Sequence, residues 1–314
     1  WVLAVDTYTR HLGRSQLVLD LTNPQVSEHL YGVIGDLLNN YRISYLKWDM
    51  NRDLVLPGAR TGLPAVHRQT TALYALLDRL RAGFPDVEIE SCASGGGRVD
   101  LEILKRTHRF WTSDSNDAVE RVRIQHGFTH FLPPEVMGSH VGPAWCHTSG
   151  RGFHPDFRAL VASYGHMGLE LDLRKVSAEE FDLFAGAVER YKADRTLWHS
   201  GDYHRITTVD VNLLGACVVN AEQTSARLVM TQIDRPRSVV PPTVQVPGLD
   251  PERRYHVQLQ TTEKVALHGS RKFRNRQMDG TLALSGAVLM SAGEQLPVLY
   301  AQTGVALALE AIDA

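Results

Sequence analysis

The chain has 314 residues, 43% of them hydrophobic and 22% charged, with a net charge of −2 and a pI of about 6.7. That is the composition of a globular protein long enough for two domains and a sizeable core. It offers no basic field for nucleic acid, no polybasic run for a membrane surface, and no apolar run of the ~18–20 residues that a membrane span needs.

The chain opens on WVLAV, a strand-like run with neither the basic start nor the cleavage site of a signal peptide. A start inside a strand predicts that sequence is missing upstream. QLVLDL (16–21) reads as a strand, Asn23-Pro24 as a helix start, SYLKWDM (44–50) as a strand, and the stretch from Pro64 to Phe84 as a helix. VEIESCASGGG (87–97) reads as a strand entering a glycine loop, DLEILKRT as a short helix, RFWTSD (109–114) as a strand, and AVERVRIQHGFTHF as a helix. EVMGSHVG is a short strand, DFRALVASYGHM a helix, and LELDL (169–173) a strand. A capping box, Ser177 with Glu180, then opens a long last helix. Beyond about residue 205 the pattern turns to strands separated by Pro-Gly, Asp-Gly and Ser-Gly turns. The expected domains are a βα catalytic part over 1–204 and a smaller all-β sandwich over 205–314.

A doubly wound sheet and a (β/α)8 barrel both predict the βα alternation. Chemically competent side chains at nearly every strand end favour the barrel: Lys47 and Asp49, Cys92, Trp111 and Asp114, Glu135 and His140, and Asp172. GGGR (95–98) does not match a dinucleotide fingerprint. About six strands are countable, so the first barrel strands are expected to be missing from this chain. Three cysteines, Cys92, Cys146 and Cys217, without a CxxC pair, argue against a disulfide framework or structural zinc and fit a reducing compartment.

Strand alternation puts Lys47 and Asp49 on one face, where the ammonium would keep the carboxylate ionised, as a nucleophile requires. A structural strand-end ion pair explains the same spacing. Asp114 ends another strand, and Asp117 follows three residues later. Two carboxylates about 5–5.5 Å apart can cleave a glycosidic bond with retention, and Trp111 would help raise the pKa of the acid. Asp117 competes for that part, but its place just before AVERV also suits a helix N-cap. His140 and His147 lack metal-ligand spacing, Trp145 is a sugar platform or a loop aromatic, and Asp172 with Arg174 reads as a rim ion pair.

YLKWDMNR (45–52), CASGGGR (92–98), WTSDSNDAVER (111–121) and PPEVMGSHVGP (133–143) together resemble the α-galactosidases of glycoside hydrolase family 36. RSQLVLDLTNPQV (14–26) and HTSGR (147–151) add to the resemblance, which covers about residues 1–200. It implies a retaining glycosidase of carbohydrate metabolism that removes terminal α-D-galactosyl residues from melibiose- or raffinose-type sugars, with no metal or organic cofactor. By position it implies Asp49 as nucleophile and Asp114 as acid/base. It also implies Lys47, Asn51, Cys92, Gly95, Gly96, Arg14 and Trp111 around the sugar. It further implies a cytoplasmic homo-oligomer, possibly a tetramer in the full-length protein.

The family's Asp-Asp-Gly-Trp motif, an upstream Trp and a large N-terminal β-sandwich are not among these residues. The chain therefore looks like a C-terminal portion holding a partial barrel. The alternatives are an α-N-acetylgalactosaminidase, a galactosyl transferase of the raffinose-synthase type, or an inactive sugar-binding fragment.

Overall fold

The structure is a computed structural model that describes residues 1–60, 62–238, 242–260, 267–268 and 279–312. The chain divides into two compact units, Trp1–Asp114 and Ser115–Ala314.

The first unit is built on three parallel strands. Helix α1 (Pro24–Asn40) starts where Asn23 accepts a hydrogen bond from the Gln25 amide and Pro24 takes the first helical position. Strand β1 (Tyr45–Trp48) leads through α2 (Val66–Gly83) to β2 (Glu88–Ser91), and α3 (Leu101–Leu104) leads to β3 (Arg109–Trp111). Helix α2 buries Leu73, Leu76, Leu77 and Leu80, an i, i+3, i+4, i+7 stripe, on its inner side. β1 and β2 pair in register from Tyr45 opposite Glu88 to Trp48 opposite Ser91, and β2 pairs with β3 at Glu90–Arg109 and Ser91–Phe110.

QLVLDL does not form the expected strand. It makes two isolated antiparallel bridges, Val2–Leu19 and Gly13–Gln16, with further backbone bonds to Trp1 and Leu3. The Gln69 side chain takes the place of a further ladder, accepting from the Leu21 amide at 2.9 Å and donating to the Leu19 carbonyl at 2.8 Å.

In the second unit, α4 (Ala118–Phe128) precedes β4 (Met137–Val141), and α5 (Pro155–Ala162) precedes β5 (His166–Leu169). β4 and β5 are parallel. The last strand of the βα region is thus HMGL, three residues before LELDL, because His166–Leu169 is the stretch that pairs with Gly138–Val141. Helix α6 (Ala178–Ser200) carries the expected capping box. The antiparallel part starts at β6 (Asp202–Thr207) and continues through β7 (Leu213–Val219), β8 (Ser225–Gln232), β9 (Thr243–Val244), β10 (Arg254–Leu259), β11 (Leu267–His268) and β12 (Leu282–Ser285). It ends with α7 (Gly286–Ser291), β13 (Glu294–Gln295), β14 (Val298–Leu299) and β15 (Thr303–Ala311).

Six of these strands form one sheet in the order β12-β10-β15-β8-β7-β6, and the short ones pair as β11–β14 and β13–β9. Alternate residues of the sheet, among them Leu228, Met230, Tyr255, Val257, Leu307 and Leu309, fill one apolar core. The other side packs on the helices: Ala216, Val218 and Val229 meet Met137, Tyr164 and Trp198. Among the described residues no helix is long and apolar enough to cross a membrane.

Candidate active site

Asp49 follows β1 directly and lies exposed at the strand's C-terminal end. Asn51 Nδ2 donates to its Oδ2 at 2.6 Å, and Asn51 Oδ1 in turn accepts from the Ser94 amide and hydroxyl at 3.2 Å. The buried Cys92 thiol donates to the same carboxylate. Partial burial works against the anion, but the hydrogen bonds from Cys92, Asn51 and the backbone of Ser94 and Met50 outweigh it and hold the carboxyl below its ordinary range. Burial first, and then the neighbouring Asp49 charge, push the Cys92 thiol up to about 12. It therefore remains a protonated donor.

Among the described residues Lys47 forms its ion pair with Glu90, not with Asp49. Its Nζ lies 3.6 Å from Glu90 Oε1 and 4.5 Å from the centre of the Trp111 ring. Glu90 is its register partner on β2 and is buried, and Tyr45 donates to the second Glu90 oxygen at 2.5 Å. Burial, reinforced by that bond to Glu90, raises the Tyr45 phenol. Glu90 was not singled out in the sequence. Its only signal there is the alternation of EIES, which puts Glu88 and Glu90 on one face.

Asp114 is exposed just beyond β3, and Trp111 Nε1 donates to its Oδ1 at 3.0 Å. Trp111 itself is buried, so its ring supports Lys47 and Asp114 from beneath. The glycine loop packs on this segment. A Cβ on Gly95, whose φ is +78°, would sit 2.6 Å from Ser113 Cα, and one on Gly96 would sit 2.6 Å from the Thr112 carbonyl. The close approach that requires glycine at both positions is thus to residues 112–114.

Arg14 occupies the tip of a tight turn closed by Gly13 and Gln16. Arg14 and Ser15 both have positive φ, 51° and 58°, as a type I′ turn demands. Arg52, three residues after Asp49, supports the turn by donating to the carbonyls of Gln16 and His11.

Asp117, in the second unit, is fully buried and caps α4 through the amides of Val119 and Glu120. Its other oxygen accepts from Ser149 at 2.5 Å and Arg151 at 2.6 Å. Burial opposes its charge, yet these donors hold the carboxyl below its ordinary range. A buried carboxylate with four donors is structural. Of the remaining expectations, Asp172 and Arg174 do form a bidentate pair at 2.8 and 2.9 Å. His140 Nδ1 lies 3.0 Å from Glu170, and Trp145 is 65% exposed.

The family model described as Melibiase matches residues 1–201. The chain belongs to the melibiase family. It is 42% identical to an α-galactosidase of Escherichia coli over 99% of its own length and 44% of that protein's. It is 35% identical to α-galactosidase C of Emericella nidulans over 94% of its length and 36% of that protein's. Among solved structures, the family 36 α-galactosidase AgaB of Geobacillus stearothermophilus superposes with a TM-score of 0.88 at 30% identity, covering 99% of this chain and 41% of that one. A variant of AgaA from the same organism, in complex with raffinose, gives 0.87 at 29% identity over 99% and 42%. The chain thus spans less than half the length of these relatives.

Proposed function

We propose that these residues carry the catalytic carboxylates of a retaining α-galactosidase. Asp49 is the nucleophile. Its ionised oxygen attacks the anomeric carbon of a terminal α-galactosyl unit as the bond to the leaving oxygen breaks, and Asp114 gives that oxygen its proton. Water then attacks the galactosyl-enzyme, Asp114 takes the water's proton, and the Asp49 carboxylate is released. The observation that carries this reading is the state of Asp49: an exposed carboxylate kept anionic by the donors Cys92, Asn51 and Ser94.

Lys47, Asn51, Cys92, Gly95, Gly96 and Arg14 surround the sugar in this reading, with Trp111 behind them. Names of relatives and a neighbour's complex with raffinose support galacto-oligosaccharides as substrates. We assign the parallel strands to a (β/α)8 barrel over 1–204 and the rest to a C-terminal β domain over 205–314. Three free, buried thiols support a reducing, cytoplasmic setting. The homo-oligomer remains part of the proposal by family resemblance.

The test uses the full-length enzyme. D49A and D114A should each abolish hydrolysis of raffinose. With an activated nitrophenyl galactoside, azide should rescue D114A by displacing Asp49 from the β-linked galactosyl-enzyme and yield α-galactosyl azide, the retained anomer. Rescue of D117A instead would overturn the acid/base assignment, and faster cleavage of the N-acetylgalactosaminide than of the galactoside would overturn the substrate.

A further inference from the structure

Lys47 pairs with Glu90, which leaves open a second source of positive charge behind Asp49. Arg98, the last residue of CASGGGR, supplies a candidate from the same unit. Its side chain is half-buried. One Nη atom donates to the Trp48 carbonyl at 3.0 Å and to the Cys92 carbonyl at 2.9 Å, and its Nε lies 3.3 Å from Ser91 Oγ. All three acceptors are uncharged, and among the described residues Arg98 makes no ion pair.

The two carbonyls are the ones that bracket the nucleophile. Trp48 precedes Asp49, and its carbonyl also accepts from the Cys92 amide at 2.9 Å. The Cys92 carbonyl also accepts from Met50, which follows Asp49, at 3.2 Å. One guanidinium therefore ties both flanks of Asp49 to the end of β2. The turn that returns Arg98 to this place is tight: a Cβ on Gly97 would lie 2.6 Å from the Ala93 carbonyl.

A guanidinium withdrawn from water without a paired carboxylate is costly unless a negative field compensates it. Burial lowers its pKa, while the charges of Cys92, Asp49, Tyr74 and Asp100 act in the opposite direction. Of these, Cys92 and Tyr74 are pushed upward, first by burial, and are neutral at working pH. Asp100 caps α3, and Lys47 and Glu90 offset each other. Among the described residues neither Asp100 nor Asp49 makes an ion pair, and Asp49 is the one whose flanking backbone Arg98 holds.

We propose that Arg98 is a positioning residue for the nucleophile: it fixes the backbone on both sides of Asp49 and adds a positive charge to the hydrogen bonds that favour the carboxylate. The proposal rests on Asp49 being the nucleophile. The experiment compares R98Q, which keeps a donor but loses the charge, with R98K, which keeps the charge but loses the fork. The readout is kcat/KM for a nitrophenyl α-galactoside against pH in the full-length enzyme. This leaving group needs little acid assistance, so the acidic limb reports the nucleophile.

R98Q should move that limb upward by about one pH unit and lower kcat at least about tenfold. R98K should leave the limb in place with a smaller loss. Coincident limbs for R98Q and wild type, or a displaced limb in R98K, would overturn the proposal. Should R98Q not fold, R98K decides alone by the same criterion. Hydrolysis persisting in D49A would instead sink the nucleophile reading, and the proposal with it.

Discussion

The Cys92 thiol donates a hydrogen bond to the Asp49 carboxylate across the ends of two neighbouring parallel strands. The Cys92 amide at the same time bonds the Trp48 carbonyl, so backbone and side chain of one residue both act on the Asp49 segment. The thiol is buried, and its raised pKa keeps the proton in place.

Removing that donor should be visible in the pH profile. Asp49 lies below its ordinary value of 3.8 because its donors favour the anion. In C92A the carboxyl should rise, and the acidic limb of kcat/KM should move to higher pH by about half a unit to one unit. C92S keeps a donor and should stay near the wild-type limb. The measurement is the pH dependence of nitrophenyl galactoside hydrolysis, and identical limbs for C92A and C92S would refute the claim.

Glu90 should act through Lys47. E90Q preserves shape and leaves the ammonium without its buried counter-ion. A misplaced Lys47 would weaken the sugar contacts proposed for it, so KM should rise about five- to tenfold with kcat within about twofold, the scale of one charge-assisted hydrogen bond. Steady-state kinetics on raffinose separate the two parameters. A pure loss of kcat would contradict this role.

The glycine loop should be intolerant of a methyl group. G95A meets both a φ of +78° and a Cβ position 2.6 Å from Ser113 Cα. Strain of about 2 kcal/mol should appear as a lower unfolding midpoint. Because the obstructing backbone carries Asp114, kcat should fall by an order of magnitude or more. Thermal unfolding and single-turnover rates measure the two effects, and wild-type values for both would show that the loop gives way freely.

Asp117 should matter for stability. D117N retains a capping side chain but loses the charge facing Arg151, at a cost of about 2 kcal/mol at neutral pH. A carboxyl whose pKa is lower folded than unfolded adds stability that is complete above the unfolded value and disappears as pH falls through the folded one. The difference from wild type should therefore be full near neutral pH and shrink below the ordinary value of 3.8. Urea unfolding at a series of pH values tests this, and a difference that grew on acidification would reverse the sign.

Interactions spanning a few residues were readable in advance. The N-cap at Asp117, the Ser177–Glu180 box and the Asp172–Arg174 pair each close within three residues, so sequence spacing alone sets their reach. Asn51 beside Asp49 belongs with them. The Asp49 counter-charge was misread, because alternation puts Lys47 on the right face yet does not say which strand lies beside it. QLVLDL failed as a strand for a related reason: alternation shows that a segment can pair, while its hydrogen-bond partners here are Trp1, Leu3, Gly13 and a Gln69 side chain.

By itself, the sequence determined the chemistry on offer: the two exposed aspartates at strand ends, the helix caps, the change from βα units to antiparallel strands, and the family. The tertiary structure decided which charges meet. The register of Lys47 on Glu90, the indole of Trp111 on Asp114, and the return of Arg98 under Trp48 and Cys92 depend on strand order and loop closure. An electrostatic partner is chosen by distance in space, and a linear chain specifies that distance only after its strands have paired.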